Sequence, residues 1–217
     1  MRLAFNIYIR LLILGLILTG SAIPAAAADT PIRNNKIVNV PLFVRDAAGN
    51  AITPQTDPST LVYEARKNAP VLAPDGHQLT LAEFNAPRGF AIARCGKKGT
   101  ESVVRLSGLV PNGVYTIWLL TFRSPGFDPT FANLIGLGAI GARDGSRNVV
   151  RATPAGTAEL TVTARPGDLS FFGTITDCWI ADEFEVHIVG AYHIDGLTHG
   201  ATPGPDGTFV EQFGFIF

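Results

Sequence analysis

The segment that most constrains the fold is Val114–Phe122, which reads VYTIWLLTF. Its β-branched and aromatic residues favour an extended strand, and the side chains on both of its faces are predominantly apolar. A strand with two apolar faces has to be covered on each side, so we expect it in the middle of a sheet. The chain is therefore predicted to fold in layers around this strand.

Segments of similar character occur on both sides of Val114–Phe122 and predict a mainly β protein. Ala158–Ala164 is the clearest, because its apolar and polar residues alternate as in a half-exposed antiparallel strand. Ile37–Arg45 contains Pro41, which cannot donate a ladder hydrogen bond, so we expect this strand at a sheet edge. The remaining predicted strands are Phe90–Arg94, Ser102–Leu109, Leu169–Ile175, Phe184–Ile194 and Phe209–Phe217.

Two short helices are predicted before residue 90. The pair Asp57-Pro58 is a helix start signal for a short stretch, with an apolar side, that runs to Ala65. A second helix is predicted over Thr80–Phe84, since Thr80 can cap it and Glu83 completes a capping box. No linker rich in serine and glycine divides the chain, so we expect a single domain.

The segment Leu106–Ile117, which reads LSGLVPNGVYTI, resembles the tyrosine-corner segment of fibronectin type III and related immunoglobulin-like modules. In that family a Leu-x-Pro turn is followed four residues later by a tyrosine, here Tyr115, whose hydroxyl bonds back to the backbone. The resemblance implies an antiparallel immunoglobulin-like β-sandwich over residues 29–217 and implies no function. The alternative is that Asn112-Gly113 forms a tight hairpin turn between adjacent strands.

Residues 1–28 have the layout of a secretory signal peptide. Arg2 and Arg10 flank an apolar start, Leu11–Leu18 is almost entirely aliphatic, and small residues follow. Alanines at the −3 and −1 positions place cleavage before Asp29. The apolar run is too short to remain as an anchor across ~30 Å of hydrocarbon. We therefore predict export to the periplasm or the extracellular space, with no membrane insertion after cleavage.

Cys95 and Cys178 are the only cysteines of the chain. An oxidising compartment and an even count favour a disulfide between them. Closing a loop of about 84 residues would stabilise the fold by roughly 4 kcal/mol through the unfolded state. Two buried free thiols are the alternative.

The charge distribution excludes one class of partner. Without residues 1–28 the chain carries 15 basic and 18 acidic side chains, a net charge of −3, and its basic residues are scattered. Proteins that bind phosphate backbones require a clustered positive field. We therefore expect no nucleic-acid partner.

Three of the four histidines lie between residues 187 and 199, and two of them predict a metal site. His193 and Asp195 share a face, and the turn at 196–199 can fold His199 back over them. Imidazole and carboxylate ligands suit Zn²⁺ or Cu²⁺. His187 would lie ~20 Å from His193 along an extended strand, which is outside the site unless Gly190 breaks the strand. His77 is a candidate fourth ligand that nothing in the sequence places nearby. The alternative is an exposed strand end whose histidines bond loop backbone.

No catalytic constellation accompanies these residues. Ser107 and Ser170 lack the GxSxG setting of a nucleophile, and Glu183 and Glu185 are typical of a solvated edge strand. We predict an exported, non-catalytic binding or structural module with an unidentified envelope or extracellular ligand. One alternative is a secreted zinc or copper protein, or metalloenzyme, that uses the histidine site. Another is a small outer-membrane β-barrel, because aromatic residues alternate along Phe209–Phe217.

Overall fold

β-Strands dominate the computed structural model, which describes residues 32–34, 37–39 and 41–217. The predicted signal peptide and its cleavage site lie outside the described residues. The described part contains one α-helix, α1 (Leu81–Phe84), and two 3₁₀ turns, Pro41–Phe43 and Trp179–Ala181. The strands are β1 (Ile32–Asn34), β2 (Val38–Asn39), β3 (Val44–Arg45), β4 (Tyr63–Glu64), β5 (Arg88–Gly96), β6 (Gly99–Ser107), β7 (Val114–Phe122), β8 (Leu134–Ala139), β9 (Val149–Arg151), β10 (Ala158–Ala164), β11 (Gly167–Asp168), β12 (Thr174–Ile175), β13 (Glu185–His193) and β14 (Phe209–Ile216).

Two antiparallel sheets account for most of these strands. The larger sheet has the order β2-β14-β13-β7-β8, and β9 also pairs with β7. The smaller sheet has the order β1-β5-β6-β10, while β3–β4 and β11–β12 are two-stranded ribbons. Apolar side chains from both sheets meet in one hydrophobic core. This arrangement is consistent with the predicted β-sandwich.

The prediction of a central strand at Val114–Phe122 is confirmed. β7 pairs along its whole length with β13 and, on its other edge, with β9 and β8. Tyr115, Ile117 and Leu119 lie in the main core, whereas Trp118 belongs to a separate apolar cluster. Because side chains alternate along a strand, β7 presents its second apolar set to the outer face of the larger sheet.

The chain crosses from the smaller to the larger sheet between β6 and β7. Asn112 and Gly113 lie in this crossover, so the alternative of a hairpin between adjacent strands is wrong. The Tyr115 hydroxyl accepts a hydrogen bond from Val110 N at 2.9 Å and donates to Gln212 Oε1 at 2.9 Å. The bond to the backbone is the interaction that a tyrosine corner would make.

The first of the two predicted helices is wrong. Residues 57–65 form a turn, an isolated bridge and β4. Val62 N donates to Leu79 O at 3.0 Å, and Val71 N donates to Val62 O at 3.1 Å. This long-range pairing satisfies the backbone groups that a local helix would have used. The second helix is present as α1, and Thr80 and Glu83 form the predicted capping box.

Two strand predictions are correct only in part. Pro41 begins a 3₁₀ turn that divides Ile37–Arg45 into β2 and β3, and β2 is an edge strand of the larger sheet. Leu169–Ile175 is not one strand, because the chain reverses there and Leu169 N bonds to Gly173 O at 2.8 Å. Gly173 has a φ of 83°, a conformation that favours glycine and permits this tight reversal.

The predicted disulfide is confirmed. It joins Cys95 in β5 to Cys178, and their Cα atoms are 5.1 Å apart. The smaller sheet is thereby tied covalently to the segment that leads into β13. No helix in the described part of the chain is long and apolar enough to cross a bilayer.

Candidate metal centre

His193 is the last residue of β13, and only 1% of its surface is exposed. The predicted alternative of an exposed strand end is therefore wrong for this residue. It pairs with Val114 of β7 and with Phe209 of β14, the strands on either side. His193 Nε2 lies 2.8 Å from Thr116 Oγ1, and Trp118 Nε1 donates to the same hydroxyl at 2.7 Å. Thr116 thus holds the imidazole from the neighbouring strand.

The turn after β13 brings His199 back to Asp195. Asp195 Oδ1 accepts a hydrogen bond from Leu197 N at 3.0 Å, the local bond by which aspartate stabilises a turn. His199 Nε2 lies 3.1 Å from Asp195 Oδ2. Gly204 has a φ of 108°, and a Cβ added there would lie 2.4 Å from the His199 ring. Only glycine lets the backbone pass this close to the imidazole.

The candidate ligand atoms of His193, Asp195 and His199 all lie within 4.8 Å of one another. Two ligand atoms on one tetrahedral Zn²⁺, each at ~2.0–2.1 Å from the ion, are about 3.3 Å apart. The separation of 3.1 Å between His199 Nε2 and Asp195 Oδ2 is close to that value. These two side chains are therefore spaced as ligands of one ion, and only a modest movement of the rings would bring in the third.

Burial is the main cause of an unusual pKa at His193. Burial outweighs the Asp195 carboxylate, which raises the pKa, and together with the smaller effect of the His199 charge it brings the pKa of the His193 imidazole down to about 4. The His193 ring is consequently uncharged at neutral pH. Uncharged imidazole is the form that binds a metal ion.

One nitrogen of this buried ring has no partner in the described part of the chain. Nε2 is held by Thr116, whereas Nδ1 is buried and makes no hydrogen bond with any described residue. A buried polar atom without a partner costs about 1–3 kcal/mol, so its presence calls for a structural or functional reason. A histidine that binds metal usually donates its second N–H to a fixed oxygen, and Thr116 Oγ1 is placed to be that oxygen. Nδ1 is then the nitrogen that remains for an ion.

The other two described histidines lie elsewhere. His187 is six residues away on β13, where its Nε2 bonds to Glu185 Oε1 at 2.5 Å, in agreement with its predicted exclusion from the site. His77 bonds to Asp75 Oδ1 at 2.6 Å and to Glu83 Oε1 at 3.2 Å. It is not part of the His193 cluster, so the suggestion of a fourth ligand is wrong.

Sequence reasoning missed Thr116 and Trp118, although a signal for them was present. Thr116 is a polar residue in the apolar run of β7, and it lies two residues before a tryptophan on the same face. A buried tryptophan N–H usually requires an acceptor. The pattern therefore indicated a buried polar pair, but nothing in it identified the histidine that the pair contacts.

This arrangement favours ligand binding over nucleophilic catalysis. Asp195 orients His199 as a carboxylate orients a catalytic base. The hydroxyl that contacts His193, that of Thr116, is however completely buried and already bonded to Trp118. Two imidazoles and a carboxylate suit Zn²⁺ or Cu²⁺ and leave a coordination position for water or another ligand.

Comparison with known proteins adds no functional assignment. No known protein-family model matches the chain, and no curated protein is significantly similar to it in sequence. Its function is therefore inferred from the geometry of the site.

Proposed function

We propose that this chain is an exported, non-catalytic binding protein that holds one Zn²⁺ or Cu²⁺ ion at His193, Asp195 and His199. His193 Nδ1 supports the proposal most directly, because it is a buried nitrogen with no hydrogen-bond partner among the described residues. A histidine with a purely structural role would be expected to satisfy both of its ring nitrogens. The ligand-like spacing of Asp195 and His199 supports the same conclusion.

Isothermal titration calorimetry of the purified protein, stripped of metal with a chelator, tests the proposal. We expect one ion per chain and a Kd below ~100 μM, which corresponds to a binding free energy more favourable than about −5.5 kcal/mol. His199→Ala should weaken binding at least tenfold, because the half-buried imidazole supplies one ligand and contributes little to the core. His193→Ala should abolish binding, and circular dichroism would establish that this variant is folded.

His77→Ala is the matched control, because His77 also bonds to carboxylates but lies outside the cluster. The His77→Ala variant should bind the metal with the same affinity as the unaltered protein. A Kd above ~100 μM for both ions would contradict the proposal. So would a binding constant that is unchanged in His199→Ala, since the ion would then be bound elsewhere.

The same proposal includes an immunoglobulin-like arrangement of the sandwich and export of the protein. The bond between the Tyr115 hydroxyl and Val110 N supports an immunoglobulin-like sandwich. The disulfide between Cys95 and Cys178 is compatible with an oxidising compartment, as export requires. Mass spectrometry of protein recovered from the producing cells would test export directly, since cleavage before Asp29 fixes the mass of the mature chain.

A further inference from the structure

The outer face of the larger sheet carries an apolar groove that the proposed metal site does not explain. Its floor includes Trp118, Leu120 and Val189, side chains from β7 and β13 that point away from the main core. The outer face of a sandwich sheet is normally solvated and polar. An apolar outer face therefore requires a partner or a ligand.

Aromatic side chains form the sides of the groove. Phe127 and Phe131, from the loop between β7 and β8, have ring centroids 5.6 Å apart, and Phe131 is 5.9 Å from Phe43. Phe209 lines the groove as well. The enclosed volume is about 420 Å³, which lies within the ~300–1,000 Å³ typical of small-molecule sites. The walls make the site a concave pocket for a small molecule, unlike the flat face on which a second sheet would pack.

The charges around the groove determine what kind of molecule fits. Among the described residues, Arg66 is the only lysine or arginine that lines it, and its guanidinium already contacts Glu211 at 3.0 Å, Glu64 at 3.3 Å and Asp206 at 3.6 Å. His187, the other basic group in the described lining, is already engaged, because its Nε2 lies 2.5 Å from Glu185 Oε1, and burial lowers the pKa of its imidazole. The described lining of the groove thus offers no free positive charge to a carboxylate or a phosphate.

We propose that this groove binds a single free molecule with an uncharged hydrocarbon chain, such as a long-chain alcohol. The apolar floor and the aromatic walls would exclude water from the chain, and affinity would come from the area of hydrocarbon that they cover. The ligand would enter past Phe127 and Ile216, which remain 41% and 39% exposed at the margin of the groove. The proposal does not depend on metal binding.

The probes are 1-octanol, 1-decanol and 1-dodecanol, and binding is followed by tryptophan fluorescence. Trp118 lines the groove, whereas Trp179 is completely buried in the main core, so 12-bromo-1-dodecanol should quench only part of the emission. We expect Kd to fall about fourfold for each added methylene, the ratio that corresponds to ~0.8 kcal/mol. Dodecanoate should bind at least tenfold more weakly than dodecanol.

Gly214 provides a variant that fills the groove. A Cβ at this position would lie 3.6 Å from Val189 Cγ2, an ordinary contact, so a larger side chain can extend into the cavity without a backbone clash. Gly214→Leu should weaken dodecanol binding at least tenfold. Gly96→Leu is the matched control, because Gly96 also has room for a Cβ but lies at the end of β5, outside the groove lining. Its affinity should change less than twofold.

Several results would overturn the proposal. These are the absence of saturable quenching by any alkanol, a Kd that does not vary with chain length, and binding that persists unchanged in Gly214→Leu. Binding to neutral phosphatidylcholine vesicles without alkanol binding would identify a membrane surface as the partner instead. A dimer that Gly214→Leu converts to a monomer, again without alkanol binding, would identify a second copy of this chain as the partner.

His199→Ala separates this proposal from the metal site. Alkanol binding should be unchanged in this variant, whereas its loss there would contradict the proposal that the groove binds independently of metal.

Discussion

Replacing Tyr115 with phenylalanine is expected to destabilise the fold through the loss of one hydroxyl group. The ring itself remains and keeps its contacts with Tyr192 and Phe213, whose centroids lie 5.2 Å and 6.2 Å away. The lost oxygen leaves Val110 N and Gln212 Oε1 without a partner. Tyr115 and Gln212 are both fully buried, so water cannot replace the hydroxyl.

The expected loss of unfolding free energy is about 2–6 kcal/mol, since two buried groups are left unpaired and each costs about 1–3 kcal/mol. Urea denaturation followed by circular dichroism measures it. Tyr63→Phe is the matched control, because Tyr63 is half-buried and no hydrogen bond of its hydroxyl is found in the described part of the chain. Its stability should change by less than ~0.5 kcal/mol.

A double-mutant cycle with Gln212→Leu sharpens this test. In the Gln212→Leu background the Gln212 acceptor is absent, so Tyr115→Phe leaves only Val110 N unpaired. The loss of unfolding free energy caused by Tyr115→Phe should therefore be smaller by about 1–2 kcal/mol in this background. A loss below ~0.5 kcal/mol for Tyr115→Phe in the unaltered background would refute the reasoning. Equal losses in both backgrounds would show that the hydroxyl does not act through Gln212.

Three further predictions concern the site and the disulfide. Thr116→Val should weaken metal binding by ~10–100-fold, because Nε2 of His193 loses its supporting hydroxyl, and calorimetry against the unaltered protein measures the change. The metal-free protein should lose about 2 kcal/mol of unfolding free energy between pH 7 and pH 5 through His193 alone. Its folded pKa of about 4 lies below the unfolded value of ~6.5, so this stability is present at neutral pH and is lost as the pH falls through that window. In His193→Gln, the unfolding free energy should fall by about 2 kcal/mol less between pH 7 and pH 5 than in the unaltered protein. An equal fall in both proteins would show that His193 does not cause this acid sensitivity. Replacing both Cys95 and Cys178 with alanine should cost roughly 4 kcal/mol in urea denaturation, whereas a loss below ~1 kcal/mol would show that the bond restrains the unfolded chain little.

The strands that were predicted well are those in which buried apolar residues alternate with exposed polar residues along the sequence. Ala158–Ala164 forms β10 with the predicted bounds because its alternation reports which side chains face the core. The helix predicted from Asp57-Pro58 failed because Val62 pairs with residues 71 and 79, and no local signal identifies such distant partners. Local patterns therefore predicted strand positions better than they predicted which segment would remain helical.

The candidate site was predictable for a similar reason. His193, Asp195 and His199 fall within seven consecutive residues, so one turn brings them together. Thr116 is 77 residues from His193 in sequence, and only the register of β7 against β13 shows that the two side chains meet. The groove was equally hidden, because its walls form only when the loop that carries Phe127 and Phe131 folds back over the sheet.

The position of β14 in the larger sheet determines when folding can be completed. β14 is an interior strand that lies between β13 and β2 and therefore joins distant parts of the chain. During synthesis from the N-terminus, the edges of β13 and β2 that pair with β14 stay unpaired until residues 209–216 have been made. The groove and the pairing that holds His193 against Phe209 consequently form only after β14 has joined the sheet, and pairing between such distant segments slows folding. Until then the unpaired edges of β13 and β2 can pair with strands of other chains, so aggregation competes with folding at this stage.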